Sequence, residues 1–173
     1  MNCEMYDIVV PEFAKLLEAM TGYFSKAAQH ADQKKYDVNN LLTGRLAPDQ
    51  YSLAKQIQVT CFLAEECVGR LSGKRAPESP EAKTIPELKA RIEKSIAFLR
   101  SLDRSDFQGW EERPADIFFA PGKYLPGAQY LTQLGIPNFY FHLVTVYSIL
   151  RQNGVDVGKL DYLGPLQFLD KKA

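Results

Sequence analysis

Residues 135–155, "GIPNFYFHLVTVYSILRQNGV", set Phe139, Phe141, Leu143, Val144, Val146, Ile149 and Leu150 on nearly every side of a helix. Such a helix is buried on most sides and needs other elements around it. Pro137 suits a first turn, where amides lack intrahelical partners. Asn153-Gly154 supplies a left-handed stop, with Val155 placed for the hydrophobic contact that follows it.

Three earlier stretches supply the partners. "VPEFAKLLEAMTGYFSKAAQHA" spaces Phe13, Leu16 or Leu17, Met20, Phe24, Ala27 and Ala31 at three and four, with Pro11 tolerable in the first turn. "PDQYSLAKQIQVTCFLAEECVGRLSG" does the same with Leu53, Ile57, Cys61, Ala64, Val68 and Leu71, from Asp49 as N-cap to Gly73 as stop. "TIPELKARIEKSIAFLRSL" opens on Thr84 and Glu87 in capping-box spacing and runs through Leu88, Ile92, Ser95, Leu99 and Leu102. Its Lys89, Arg91, Glu93 and Lys94 read as a solvated face.

Between the third and fourth helices, "FQGWEERPADIFFAPGKYLPGAQYLTQLGIP" holds too much proline and glycine for a helix. "DIFFA" and "KYLPG" flank Pro121-Gly122 as a small β-hairpin does. The segments 32–48 and 155 onward read as ordered connections anchored by aromatics and leucines. The expected fold is all-α, an up-and-down four-helix bundle with a long crossover between helices three and four.

A chain of 173 residues suits one domain over 1–173. Lysine plus arginine equal aspartate plus glutamate at 21 each, without a basic block, which excludes a nucleic-acid footprint. No run approaches the roughly 20 apolar residues of a membrane span, and "MNCEMYDIVV" lacks the basic start of a signal peptide. A cytoplasmic protein is expected. Cys3, Cys61 and Cys67 are odd in number and form no CxxC, so they read as packing thiols.

On the fourth helix Asn138, His142, Thr145 and Ile149 share one stripe, and on the second Gln58, Cys61 and Glu65 form another. If these faces meet, an interior polar cluster results, and each unpaired group there costs about 1 to 3 kcal/mol. Gln58, Glu65, Asn138, His142 and Thr145 are therefore the ligand-pocket candidates. A catalytic zinc normally takes about three nitrogen, sulfur or carboxylate ligands. The chain has only His30 and His142, and amide oxygens are weak zinc ligands. His30, in "KAAQHA", reads as a cap at the end of helix one. GxGxxG, Walker, GxSxG and HExxH patterns are missing, so no catalytic group is assigned.

"NLLTGRLAPDQYSLAKQIQVTC" and "GIPNFYFHLVTVYSILRQNGVDVGKLDYLG" closely resemble the two signature stretches of a mainly bacterial domain family of unknown function. "KAAQHA" and "ELKARIEKSIAFL" fit as well. That family lies near the DinB/YfiT-like superfamily of four-helix bundles, described as candidate metalloenzymes and often dimeric. The resemblance implies a bundle, a homodimer and a site that in relatives holds a divalent metal such as zinc, nickel or iron. Those relatives include metal-dependent transferases, and an isomerase, that use low-molecular-weight thiols. In the superfamily the metal is held by one histidine from helix two and two histidines four apart on helix four. Here only His142 is kept. Asn138 replaces its partner, and Gln56 or Gln58 stands near the helix-two position.

Three functions follow as expectations, in this order. The first is a small-molecule-binding protein with an interior polar cleft and no metal. The second is a divergent metal-dependent transferase or isomerase that recruits Glu65 or His30 beside His142. The third is a structural or interaction protein.

Overall fold

Helix α1 spans Met5–Lys34 and buries every residue of its expected stripe. It begins before Pro11 because Met5, Val9 and Val10 extend that stripe by two turns. Pro11 consequently sits inside the helix, and the Asp7 carbonyl forgoes its helical donor. The computed structural model describes residues 5–171, so Cys3 lies outside the described residues.

Helix α2, Leu53–Ser72, starts after Ser52 rather than near Asp49. A turn closed by Gln50 N–H on the Ala47 carbonyl keeps Pro48 and Asp49 outside, and Leu53 N–H bonds the Gly44 carbonyl. The helix stops at Gly73, whose φ of 74° is left-handed. Helix α3, Ile85–Arg100, carries the expected capping box of Thr84 and Glu87. Its buried stripe is the expected one, but Arg91 is buried too, at 8% exposure, instead of lying on the solvated face.

The four long helices form the expected bundle, in which α1 packs on α3, α3 on α2, and α2 on the last long helix. Strict up-and-down alternation is broken once. Gln58, early in α2, holds Ala82 just ahead of α3, and Lys74, just after α2, pairs with Asp106 beyond α3. Thus α2 and α3 run the same way. Residues 73–83, at up to ~3.3 Å each, are long enough to return along α2, about 30 Å at 1.5 Å per residue.

The crossover contains a hairpin, β1 (Pro114–Asp116) antiparallel to β2 (Tyr124–Pro126) with Ala115 opposite Leu125, but its first strand lies earlier than expected: of "DIFFA" only Asp116 is paired, and Ile117–Ala120 belong to the loop. Immediately after it the chain is helical despite its proline and glycine content: α4 (Gly127–Tyr130) and a π turn (Leu131–Gly135) lead straight into α5 (Ile136–Gln152). The π turn has a local cause. Pro137 cannot donate to the preceding turn, and Ile136 N–H reaches five residues back to the Leu131 carbonyl. Gly135 lets α5 approach α2, since a Cβ there would lie 2.6 Å from Cys67 Sγ.

Helix α5 ends as expected: Gly154 has φ 84°, and Val155 N–H bonds the Leu150 carbonyl. It is not buried on most sides, however. Phe139, Leu143, Val146, Ile149 and Leu150 face the core, whereas Phe141 is 56% and Val144 43% exposed. The bundle covers only one side of this helix. A short α6, Lys159–Leu163, lies on α1 through the Lys26–Asp161 ion pair, 2.6 Å. Val155 and Val157 anchor the connection to it, but Leu166, Phe168 and Leu169 beyond it are exposed. No helix among the described residues is long and apolar enough to cross a membrane.

Candidate functional site

The polar candidates on α2 and α5 do not enclose an interior cleft. Between α1, α2 and the 38–42 segment lies an apolar void of about 10 Å³, which none of the polar candidates lines. Gln58, Glu65, Asn138 and His142 instead border an open groove of about 1320 Å³, together with the returning 74–81 segment and the aromatic rings of Tyr51, Phe62, Phe118 and Phe119. The returning connection runs along the outside of α2, which is why the polar edge of that helix becomes the floor of a groove.

Each candidate has a distinct partner. Gln58 pins the connection: its Oε1 accepts from Ala82 N–H at 2.8 Å, and its Nε2 donates to the Ala82 and Ala54 carbonyls, both at 3.1 Å. Glu65 forms a bidentate pair with Arg91, at 2.6 and 2.7 Å, with both side chains buried. Arg91 also donates to Ser95 Oγ. Thr145 does not border the groove; its hydroxyl donates back to the Phe141 carbonyl at 2.7 Å. Asn138 is half-buried and makes no side-chain hydrogen bond with the described residues.

His142 is contacted from three sides at the groove wall. Its Nδ1 lies 2.5 Å from Oε1 of Gln56, a side chain only 1% exposed. The Tyr51 ring stacks beside the imidazole, centroids 6.3 Å apart and planes at 21°, and Phe141 meets it edge-on at 5.1 Å. Burial lowers its pKa below the ordinary histidine value, which favours the neutral ring. A neutral imidazole at a groove wall can accept a proton or a hydrogen bond.

The donor set does not fit a transition-metal centre of the kind the resemblance implies. The Gln58 amide is spent on Ala82, the Gln56 oxygen on His142, and the Glu65 carboxylate on Arg91. His30 is distant: its ring packs against Gly154, twelve residues and roughly 18 Å along α5 from His142. Nor does it cap α1, which continues to Lys34. Among the described residues no three His, Cys, Asp or Glu side chains are grouped to hold an ion.

Residue spacing does not single out two residues of this site, Gln56 and Arg91. Gln56, one of two alternatives for the helix-two position, lies three residues from Leu53 on the buried stripe, a position where an amide must find a partner. Arg91 neighbours the Leu88–Ile92 stripe in the same way.

Fold and site together define a DinB-like helical bundle with one held histidine at a lateral groove. The chain belongs to the family described as domain of unknown function DUF1993, which matches residues 5–163. It is similar in structure to a DinB family member protein from Shewanella denitrificans, with 38% identity, 96% of each chain covered and a TM-score of 0.92. No curated protein matches it.

Proposed function

We propose that this chain is a small-molecule-binding protein whose ligand lies in the α2/α5 groove against His142. The observation that carries this reading is the pairing of an open, aromatic-bordered groove with an imidazole held in place by a buried glutamine. Concave sites lined by apolar rings with a few placed polar groups are the usual form of small-molecule pockets. Asn138, which has no side-chain partner among the described residues, supplies a second polar group on the same wall.

The setting is cytoplasmic in this reading. Cys61 and Cys67 support it as buried free thiols, pushed up to about 11 and about 12 by burial. The working form is a homodimer. Phe62, Phe118, Phe119 and Phe141 are each about half exposed or more, and at about 200 Å² per ring they leave roughly 500 Å² of aromatic surface around the groove. That is as large as the largest apolar patch of a typical monomer, about 300–600 Å², a size that often marks a binding surface, and a second copy of this chain is the occupant proposed for it.

The test is a metal analysis and a fragment titration on tag-free protein, run beside His142→Ala. The expected result is less than a tenth of an equivalent of zinc, nickel or iron, with fragments that perturb groove resonances at least ten-fold more weakly in the variant. Stoichiometric metal lost in His142→Ala overturns the reading in favour of a metal-dependent transferase.

A further inference from the structure

From the geometry around His142 we infer that Gln56 is a positioning residue: it fixes His142 as the Nδ1–H tautomer, so that Nε2 meets the groove as a hydrogen-bond acceptor and selects ligands that bring an O–H or N–H donor. The inference rests on the small-molecule reading above and adds the polarity of the ligand to it.

Gln56 comes from the buried stripe of α2, and His142 from the groove side of α5. The atom of Gln56 that faces Nδ1, at 2.5 Å, is the amide oxygen. An amide oxygen only accepts, so with the Gln56 amide in this orientation the hydrogen lies on Nδ1. In a neutral imidazole the second nitrogen then carries a lone pair and no hydrogen. Tyr51 and Phe141 set the plane of the ring, from its face and its edge; a half-turn about Cβ–Cγ would keep both contacts but replace Nδ1 by a carbon opposite Gln56, so the Gln56 contact sets which edge points inward. Nε2 has no hydrogen bond with the described residues, which leaves it for a donor on the ligand.

Asn138 on the same wall carries both an acceptor and donors and so imposes no single polarity, and the groups nearest His142 along α2 are already paired. Glu65 and Arg91 neutralise each other, Glu66 pairs with Arg70, and Gln58 is occupied by the backbone of Ala82. The imidazole is thus an acceptor whose direction is set from the buried side. Ligand polarity at this wall is decided by a residue the ligand does not touch.

The experiment is nitrogen-detected NMR of the ligand-free protein at pH 7.5, in which the shifts of the two imidazole nitrogens report which is protonated. The chain has only two histidines, and His142→Ala assigns the signals. The expected result is Nδ1–H in the native protein, loss of that preference in Gln56→Leu, and its return in Gln56→Glu, whose carboxylate also accepts from Nδ1–H. Circular dichroism on all three controls for folding. An Nε2–H tautomer in the native protein, or an unchanged tautomer in Gln56→Leu, overturns the role of Gln56.

Phenol and anisole, which differ at the ring oxygen by a donor hydrogen against a methyl group, then read the ligand class. A His142 Nε2 shift at five-fold or more lower phenol than anisole supports the donor preference. Equal response overturns it. Because the tautomer is measured without ligand, a failure of the small-molecule reading and a failure of the Gln56 assignment give separate results.

Discussion

At the scale of single residues, the Glu65–Arg91 pair combines most strongly a buried charge with a position at the groove. Both carboxylate oxygens are held by the guanidinium, and Ser95 takes a further donor. Removing one partner leaves a buried charge unpaired, which costs about 3–5 kcal/mol. Glu65→Ala is therefore expected to lower stability by about that amount in urea unfolding. Glu65→Leu combined with Arg91→Met replaces both charges by apolar groups and is expected to recover most of the loss. A double variant no more stable than the single one would show that the pair does more than neutralise itself. Gln56 and His142 form the neutral counterpart, a contact whose worth lies in orientation.

Among the elements, the α4–π turn–α5 run decides where the groove wall stands. Its π turn precedes Asn138 and His142, and Gly135 brings the run close enough to α2 to touch Cys67. A methyl group there overpacks the contact, so Gly135→Ala is expected to destabilise by about 1–3 kcal/mol. Cys67→Ala removes the sulfur that the new methyl meets. The double variant is expected to unfold less than additively, and strict additivity in the double-mutant cycle would refute the contact as the cause. The connection 73–83 is the second decisive element. Gln58 holds its far end, so Gln58→Leu is expected to raise amide exchange at Ala82 while α2 and α3 stay protected.

For the whole molecule, the open side of the bundle is the feature with consequences. Helix α5 buries one face and leaves Phe141 and Val144 outside, and the hairpin leaves Phe118 and Phe119 outside. A second copy that covers this face gives a solution mass near twice 19.6 kDa in light scattering. Phe118→Asp with Phe119→Asp is expected to return the monomer mass with unchanged helicity. A native protein that stays monomeric at high micromolar concentration would remove the homodimer from the proposed function.

Much of this architecture was legible from residue spacing. The stripes of α1, α2 and α3, the Thr84–Glu87 box, the Gly73 and Gly154 stops and the small hairpin all depend on neighbours within a few positions, where backbone geometry dictates which side chains share a face. The family signature was legible for the same reason. Other features depend on what lies across the fold. Spacing alone could not reveal that α2 and α3 run parallel, that Arg91 turns inward to Glu65, or that Gln56 rather than Gln58 reaches His142. A buried charge or amide is stable only with its partner present, and that partner lies 24 to 86 residues away along the chain. The sequence by itself determined the four long helices, their inward stripes and the family; the tertiary structure decided which side of α5 stayed open and where the groove lies, because both follow from how the connections return.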